Sequence, residues 1–128
     1  MLTFFERCQA YRTTLLVVQD KNGWKFGGLC TEMWRVSTSF YGTGENFLFT
    51  FKKSNQISVY PWTGNDDQYQ WANNDLIGLG GGIRGRFGLS LKDNLYKGTS
   101  AKTSTFENEI LSSDTDFVCT DLEVWGLD

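Results

Sequence analysis

The sequence predicts a mainly β protein, an antiparallel two-sheet β-sandwich with small peripheral helices. Three observations predict it. Aromatic residues make up 16% of the 128 residues and alternate with β-branched ones in short runs suited to a pleated surface. Turn signals built on Gly, Asn and Asp separate these runs at intervals of about 8–12 residues. No helical period is long enough for a β-α-β crossover, so the strands must pair antiparallel.

The elements follow in order. Leu2, Phe5 and Cys8, with Phe4 and Tyr11 beside them, have helical spacing. Residues 13–31 read as a β-hairpin: Thr13 to Gln19 is a β-branched and leucine run, Asp20-Lys21-Asn22-Gly23 is the turn, and Trp24, Phe26, Gly28 and Cys30 alternate beyond it. Asn46 to Phe51 is a strand with Phe47, Phe49 and Phe51 on one face. Lys52 to Gln56 turns the chain into Ile57 to Trp62, where Pro61 marks a strand edge. Short strands are expected at Tyr69 to Trp71, Leu76 to Leu79, Arg86 to Leu91 and Leu95 to Gly98. Phe106 to Leu111 suggests one helical turn. Asp116 to Trp125 is the last strand, with Val118, Leu122 and Val124 inward and Asp121 and Glu123 outward.

One domain accounts for this length, and it can bury a hydrophobic core. No run of about 18 apolar residues is present to span a membrane as a helix, and no membrane insertion is expected. Cys8, Cys30 and Cys119 are widely spaced, and none of the eight Asn begins a glycosylation sequon. This combination suits a reducing compartment and a cytoplasmic location. The net charge of −3 argues against nucleic acid as a partner. Its distribution is uneven: residues 103–128 carry −7 and no base, whereas the rest carries +4. Such asymmetry is either a docking signal or a solvated edge.

The absence of His excludes Ser-His-Asp and Cys-His chemistry and every His-bearing zinc site. No cofactor or metal is expected. Gly80-x-Gly82-x-x-Gly85 matches the dinucleotide fingerprint as a string but leads into Phe87-x-Leu89-x-Leu91, a strand where the mechanism needs a helix. Phosphate binding at Gly80, Gly81, Gly82, Arg84 and Arg86 therefore stands against a glycine-rich hairpin passing close to another backbone. Asp121 and Glu123 could pair as hydrolytic carboxylates or simply face solvent. Gly42-Thr43-Gly44-Glu45 is a tight turn in which Glu45 either fastens loop amides or stands as a lone acid in a cleft.

Taken in order, these residues resemble the TLDc domain. The matching motifs are Asn22-Gly23-x-x-Phe26-Gly27, Phe40-Tyr41-Gly42-Thr43-Gly44-Glu45-x-Phe47-x-Phe49, Trp62-Thr63-Gly64 and Gly80-Gly81-Gly82. Phe87-Gly88-Leu89, Leu95-Tyr96-x-Gly98-x-Ser100, Thr105-Phe106-x-Asn108, Leu111-Ser112, Asp116-Phe117 and Leu122-Glu123-Val124-Trp125 complete them. The resemblance implies an antiparallel sandwich, a link to oxidative-stress resistance, no accepted active site, and subunits of the vacuolar-type proton ATPase as partner. It also places the protein at the cytosolic face of endomembranes. Residues 1–128 then form a single TLDc-like domain that is N-terminally incomplete, with Thr3-Phe4-Phe5-x-x-Cys8 as the tail of a helix. A first strand missing in this way would leave a sheet edge uncovered. Thr103 stands where many members carry a cysteine, which argues against cysteine-based antioxidant chemistry.

Three functions are therefore compared. The leading one is a non-catalytic protein-binding module that contacts the pump through the Gly42–Glu45 turn, the Gly80–Arg86 loop and the acidic last strand. The alternative is a carboxylate-dependent hydrolase of a small substrate using Glu45 or the Asp121/Glu123 pair. A third is sugar binding on Trp62, Tyr69 and Trp71.

Overall fold

The computed structural model describes residues 2–52, 56–81, 86–92 and 94–127. Its elements are α1 (Leu2–Cys8), β1 (Thr14–Asp20), β2 (Lys25–Cys30), β3 (Phe47–Lys52), β4 (Ser58–Pro61), β5 (Gln70–Ala72), β6 (Leu76–Leu79), β7 (Leu89–Lys92), β8 (Lys97–Thr99) and β9 (Asp116–Gly126). The mainly β class is as expected. α1 is the helix among the described residues, and residues 106–111, expected to make a helical turn, follow an irregular course. Their polar side chains explain this. Asn108 is buried and donates to the carbonyls of Ala101 and Glu109, so it competes with helical bonding.

All pairings are antiparallel, and the strands form one nine-stranded sheet in the order β4-β3-β2-β1-β9-β8-β7-β6-β5. The expected separation into two sheets is not drawn by the hydrogen bonds, because β9 belongs to both arms. Its first residues pair with β8 (Asp116 opposite Thr99, Val118 opposite Lys97), and the remainder pairs with β1 (Cys119 opposite Asp20, Gly126 opposite Thr14). β2 and β6 lie five places apart in this order, a span of about 24 Å in a flat sheet. Yet a Cβ on Gly28 of β2 would lie 2.8 Å from Leu79 Cδ1 of β6, so the sheet bends back on itself.

The two arms share one core. Leu16, Val18, Phe26 and Leu48 come from one arm and Ile77, Leu79, Leu89 and Leu91 from the other, all 2% exposed or less. α1 adds Phe4, edge-on to Trp34 at 5.7 Å between ring centroids, and Cys8. Phe47, Phe49 and Phe51 do share a face, but it is the outer one; Leu48 between them points into the core. Pro61 lies on β4, an edge strand, as its missing N–H requires.

The register between β1 and β9 slips between Gln19 and Asp20, leaving Thr120 unpaired as a bulge. The slip corrects the expected alternation of β9. Phe117 and Cys119 face the core before the bulge, whereas Leu122 does so after it, and Val118 does not. Thr120 Oγ1 donates to the Gln19 carbonyl at 3.1 Å, which holds the bulge in place.

Candidate functional site

The two glycine segments singled out by the sequence meet at one place, on either side of residues 66–70. Gly42 has φ +120°, a conformation that L side chains rarely adopt, and a Cβ there would lie 2.8 Å from Tyr69 Cβ. On the other side Gly80 N donates to the Tyr69 carbonyl at 3.0 Å, and Gly81 N donates to Thr105 Oγ1 at 3.0 Å. The glycine character of both segments is therefore used for close backbone approach. Gly82 and Arg84 lie outside the described residues.

The 66–70 segment is locked by Asp66. Its Oδ1 accepts from Gln68 N at 3.1 Å and from Thr105 Oγ1 at 2.5 Å, and its Oδ2 accepts from Ser104 Oγ. Partial burial works to raise its pKa. The hydrogen bonds from Ser104, Thr105 and Gln68 outweigh that and hold the carboxyl below its ordinary value. Thr63 Oγ1 donates to the carbonyls of Ser104 (2.8 Å) and Thr105 (3.0 Å), and Asn65 Nδ2 to Ser104 O (3.2 Å) and Glu107 Oε1 (2.9 Å). Loops 62–70 and 103–107 are thereby clasped together.

This clasp holds up a pair of aromatic rings. Trp62 is 38% exposed, and its Nε1 donates to the Asp66 carbonyl at 2.6 Å. Its ring lies directly over Gly44 and 5.5 Å, centroid to centroid, from Tyr69. The Tyr69 hydroxyl is raised in pKa, first by partial burial and then by Asp67 and Asp66, so it remains a hydrogen-bond donor at neutral pH. Trp71 does not join this platform. It stacks on Phe87 in a separate groove shared with Phe40, Gln68 and Arg86, so the three rings proposed for sugar binding do not form one surface.

The acids do not assemble into a reaction centre. Glu45 is exposed, and its groove is lined by Arg12, Thr13, Thr31 and Thr43 rather than by Asp121 or Glu123. Asp121 and Glu123 are exposed on β9 opposite Gln19 and Val17. The fastening considered for Glu45 is carried out by its neighbour Asn46, 1% exposed. Asn46 Oδ1 accepts from Thr31 N at 2.9 Å and from Thr31 Oγ1, while its Nδ2 donates to Gln70 Oε1 at 3.1 Å. Among the described residues no three His, Cys, Asp or Glu side chains are placed to hold a metal ion.

Burial raises the pKa of all three thiols, most strongly at Cys30. Cys8 and Cys30 are buried, and Cys119 is half-exposed with its Sγ donating to the Asp121 carbonyl at 3.3 Å. Iodoacetamide should therefore label the native protein slowly and at Cys119 first, with Cys8 and Cys30 reacting only after unfolding. Peptide mass spectrometry along a labelling time course checks this order.

The TLDc domain family model matches residues 1–128. Human nuclear receptor coactivator 7 is 44% identical over 114 residues, which is 89% of this chain and 12% of that protein. Oxidation resistance protein 1 is 40% identical over 114 residues in Rattus norvegicus and 41% in Xenopus laevis, in each case 89% of this chain and 13% of the relative. The chain thus spans about an eighth of the length of these curated relatives. With the family model matched from end to end and the relatives well above 30% identity, the chain belongs to the TLDc domain family.

Proposed function

We propose that the chain is a non-catalytic protein-binding module of the TLDc type, that its partner is the vacuolar-type proton ATPase, and that protection against oxidative stress is the result. The observation that carries the binding reading is the Trp62–Tyr69 platform, an exposed Trp62 beside a half-buried Tyr69, fixed from beneath by the Asp66 clasp. Protein interfaces draw most of their energy from a few Trp, Tyr and Arg side chains held rigidly at their centre. Gly44 lies beneath the Trp62 ring, so the Gly42–Glu45 turn borders this platform, and the buried Gly80 supports it through its bond to the Tyr69 carbonyl. The stress link is supported by similarity to proteins named oxidation resistance protein 1. The same reading treats the bent sheet as a two-sheet sandwich and places the protein in the cytoplasm, at the cytosolic face of endomembranes.

A pull-down with the folded chain from cytosol and solubilised endomembranes should recover pump subunits. Trp62→Ala should weaken that capture about 30-fold or more, the loss expected at an aromatic interface centre, with the β-sheet circular dichroism unchanged. Recovery of no pump subunit by the folded parent chain would remove the pump as partner. Undiminished capture by Trp62→Ala would remove the platform as the contact.

A further inference from the structure

We propose that Asn22-Gly23 is a site of spontaneous deamidation, that the hydrogen-bonded junction at Asp20 sets its rate, and that the product cannot rebuild that junction.

The reaction needs only water and this chain's own atoms. Gly23 N, after giving its proton to hydroxide, attacks Asn22 Cγ. The Cγ–Nδ2 bond breaks, Nδ2 takes a proton from water and leaves as ammonia, and a succinimide ring remains. Water then opens the ring at either carbonyl. Cleavage of the new bond gives aspartate, and cleavage of the original peptide bond gives isoaspartate. The step is redox-neutral. A following glycine makes it accessible, because without a Cβ nothing shields the attacking nitrogen and the ring closes against no side chain. Asn22 is the one Asn of the eight that Gly follows. It is exposed, at a groove of about 530 Å³ lined also by Lys21, Ser113 and Asp114.

The folded turn holds the reacting atoms in other bonds. Gly23 N donates to the Asp20 carbonyl at 3.0 Å, so the proton that must leave is engaged and the nitrogen is directed at Asp20. Asn22 N donates to Asp20 Oδ1 at 2.9 Å and fixes the residue from its other side. The leaving nitrogen is tied as well, since Asn22 Nδ2 donates to Ser113 Oγ at 2.9 Å. Ring closure requires the turn to come away from Asp20, and the reaction proceeds from that locally open state.

The same bonds decide what the product does. Ser113 Oγ accepts from Asn22 Nδ2 and gives its single proton to Asp20 Oδ2 at 2.9 Å. A carboxylate in place of the Asn22 amide has no proton to donate. It either loses Ser113 or competes with Asp20 for the hydroxyl proton. Isoaspartate also adds a backbone atom to a turn whose Asn22 and Trp24 amides are spaced to reach Asp20 Oδ1. A modified molecule therefore keeps its hairpin turn loosened from the loop before β9.

The test incubates the folded chain, and the chain unfolded in urea, in mildly alkaline buffer. Peptide mass spectrometry follows every Asn, and methyl transfer by an isoaspartyl methyltransferase reports isoaspartate. The folded chain should deamidate at Asn22 before any other Asn, and about tenfold or more slowly than the unfolded chain. Ser113→Ala removes the acceptor of Nδ2 and should speed the folded chain about fivefold, as for the loss of one hydrogen bond. Ile77→Val, a change in the core on β6, should leave the rate as in the parent. Asn22→Asp, which is one of the two products, should melt about 3 °C below the parent at neutral pH. No product at Asn22, or another Asn reacting first in the folded chain, would overturn the site. Equal rates in folded and unfolded chains, no effect of Ser113→Ala, or an equal acceleration by Ile77→Val would overturn control by the Asp20 junction. Asn22→Asp melting with the parent or above it would overturn the effect assigned to the product.

Discussion

Gly27→Ala should lower the melting temperature by about 10–15 °C, a loss of about 3 kcal/mol at the upper end of the usual cost of overpacking. Gly27 lies mid-strand in β2, paired with Val17 of β1. A Cβ at this position would overlap the carbonyl oxygen of Leu16 and stand 3.1 Å from the ring of Phe49. A flexible side-chain tip could step aside, but here the obstruction is backbone whose neighbours are tied into the β1–β2 and β1–β9 ladders. Relief requires β1 and β2 to part, which breaks hydrogen bonds on a strand that carries the core residues Leu16 and Val18. Thermal denaturation followed by circular dichroism gives the answer. A variant melting within about 3 °C of the parent would mean that the strands separate at little cost, contrary to this packing argument.

The second large effect is expected at Asp20, 2% exposed at the end of β1. Its Oδ1 accepts from Asn22 N and Trp24 N, both at 2.9 Å, and closes the hairpin turn. Its Oδ2 accepts from Ser112 Oγ at 2.5 Å, Ser113 N at 3.2 Å and Ser113 Oγ at 2.9 Å, and so ties the turn to the loop before β9. Burial works to raise this carboxyl's pKa, but the bonds from Ser112, Ser113 and Trp24 hold it below the ordinary value. A depressed folded pKa adds stability that is complete above the unfolded value of about 3.9 and lost as pH falls through the folded one. Asp20→Ala leaves these donors without an acceptor and should cost about 4 kcal/mol. Asp20→Asn keeps an acceptor for the turn amides but offers none to Ser113 N, and should cost about half as much. Urea titrations at pH 7 and pH 3 should show the gap between parent and Asp20→Asn narrowing at the lower pH. A gap that stays constant would mean that the charge on Asp20 adds no stability.

These two residues show what local reading of the sequence reaches. The turn at Asp20-Lys21-Asn22-Gly23 was legible because its signal is contained in four residues, and Gly23 does take φ +87°. The strands at Phe47–Lys52 and Asp116–Gly126 were legible from alternation, and Leu76–Leu79 as a short apolar run. Three features were not. The bulge at Thr120 depends on the partner strand, so the core-facing phase of β9 could not be assigned from β9 alone. The continuity of the sheet through β9 is a property of register across distant strands. The Asp66 clasp joins residues 38 and 39 positions apart, and nothing near Asp66 announces Ser104 and Thr105 as its donors. In the candidate site, Gly42 and Gly44 were found by their turn chemistry, and Gly80 as the first glycine of the Gly80-x-Gly82-x-x-Gly85 string. Asn46 was missed in favour of Glu45 because the more visible charge drew the reading, although an amide both donates and accepts and thus suits a buried junction.

The strand shared by both arms also sets how this chain can fold during synthesis. β1 emerges early, but its partner β9 emerges about a hundred residues later, the separation of 101 seen between Thr120 and Gln19. Until Asp116–Gly126 has left the ribosome, β1 and β8 each keep an open side and neither arm has its central neighbour. Pairing over such distances makes folding slow, and the waiting intermediate exposes strand edges that neighbouring nascent chains can capture. A premature stop just before Asp116 would therefore remove the central strand and leave two unjoined sheets. The demand for a chaperone should peak while residues 21–115 are made and fall once the last strand is free.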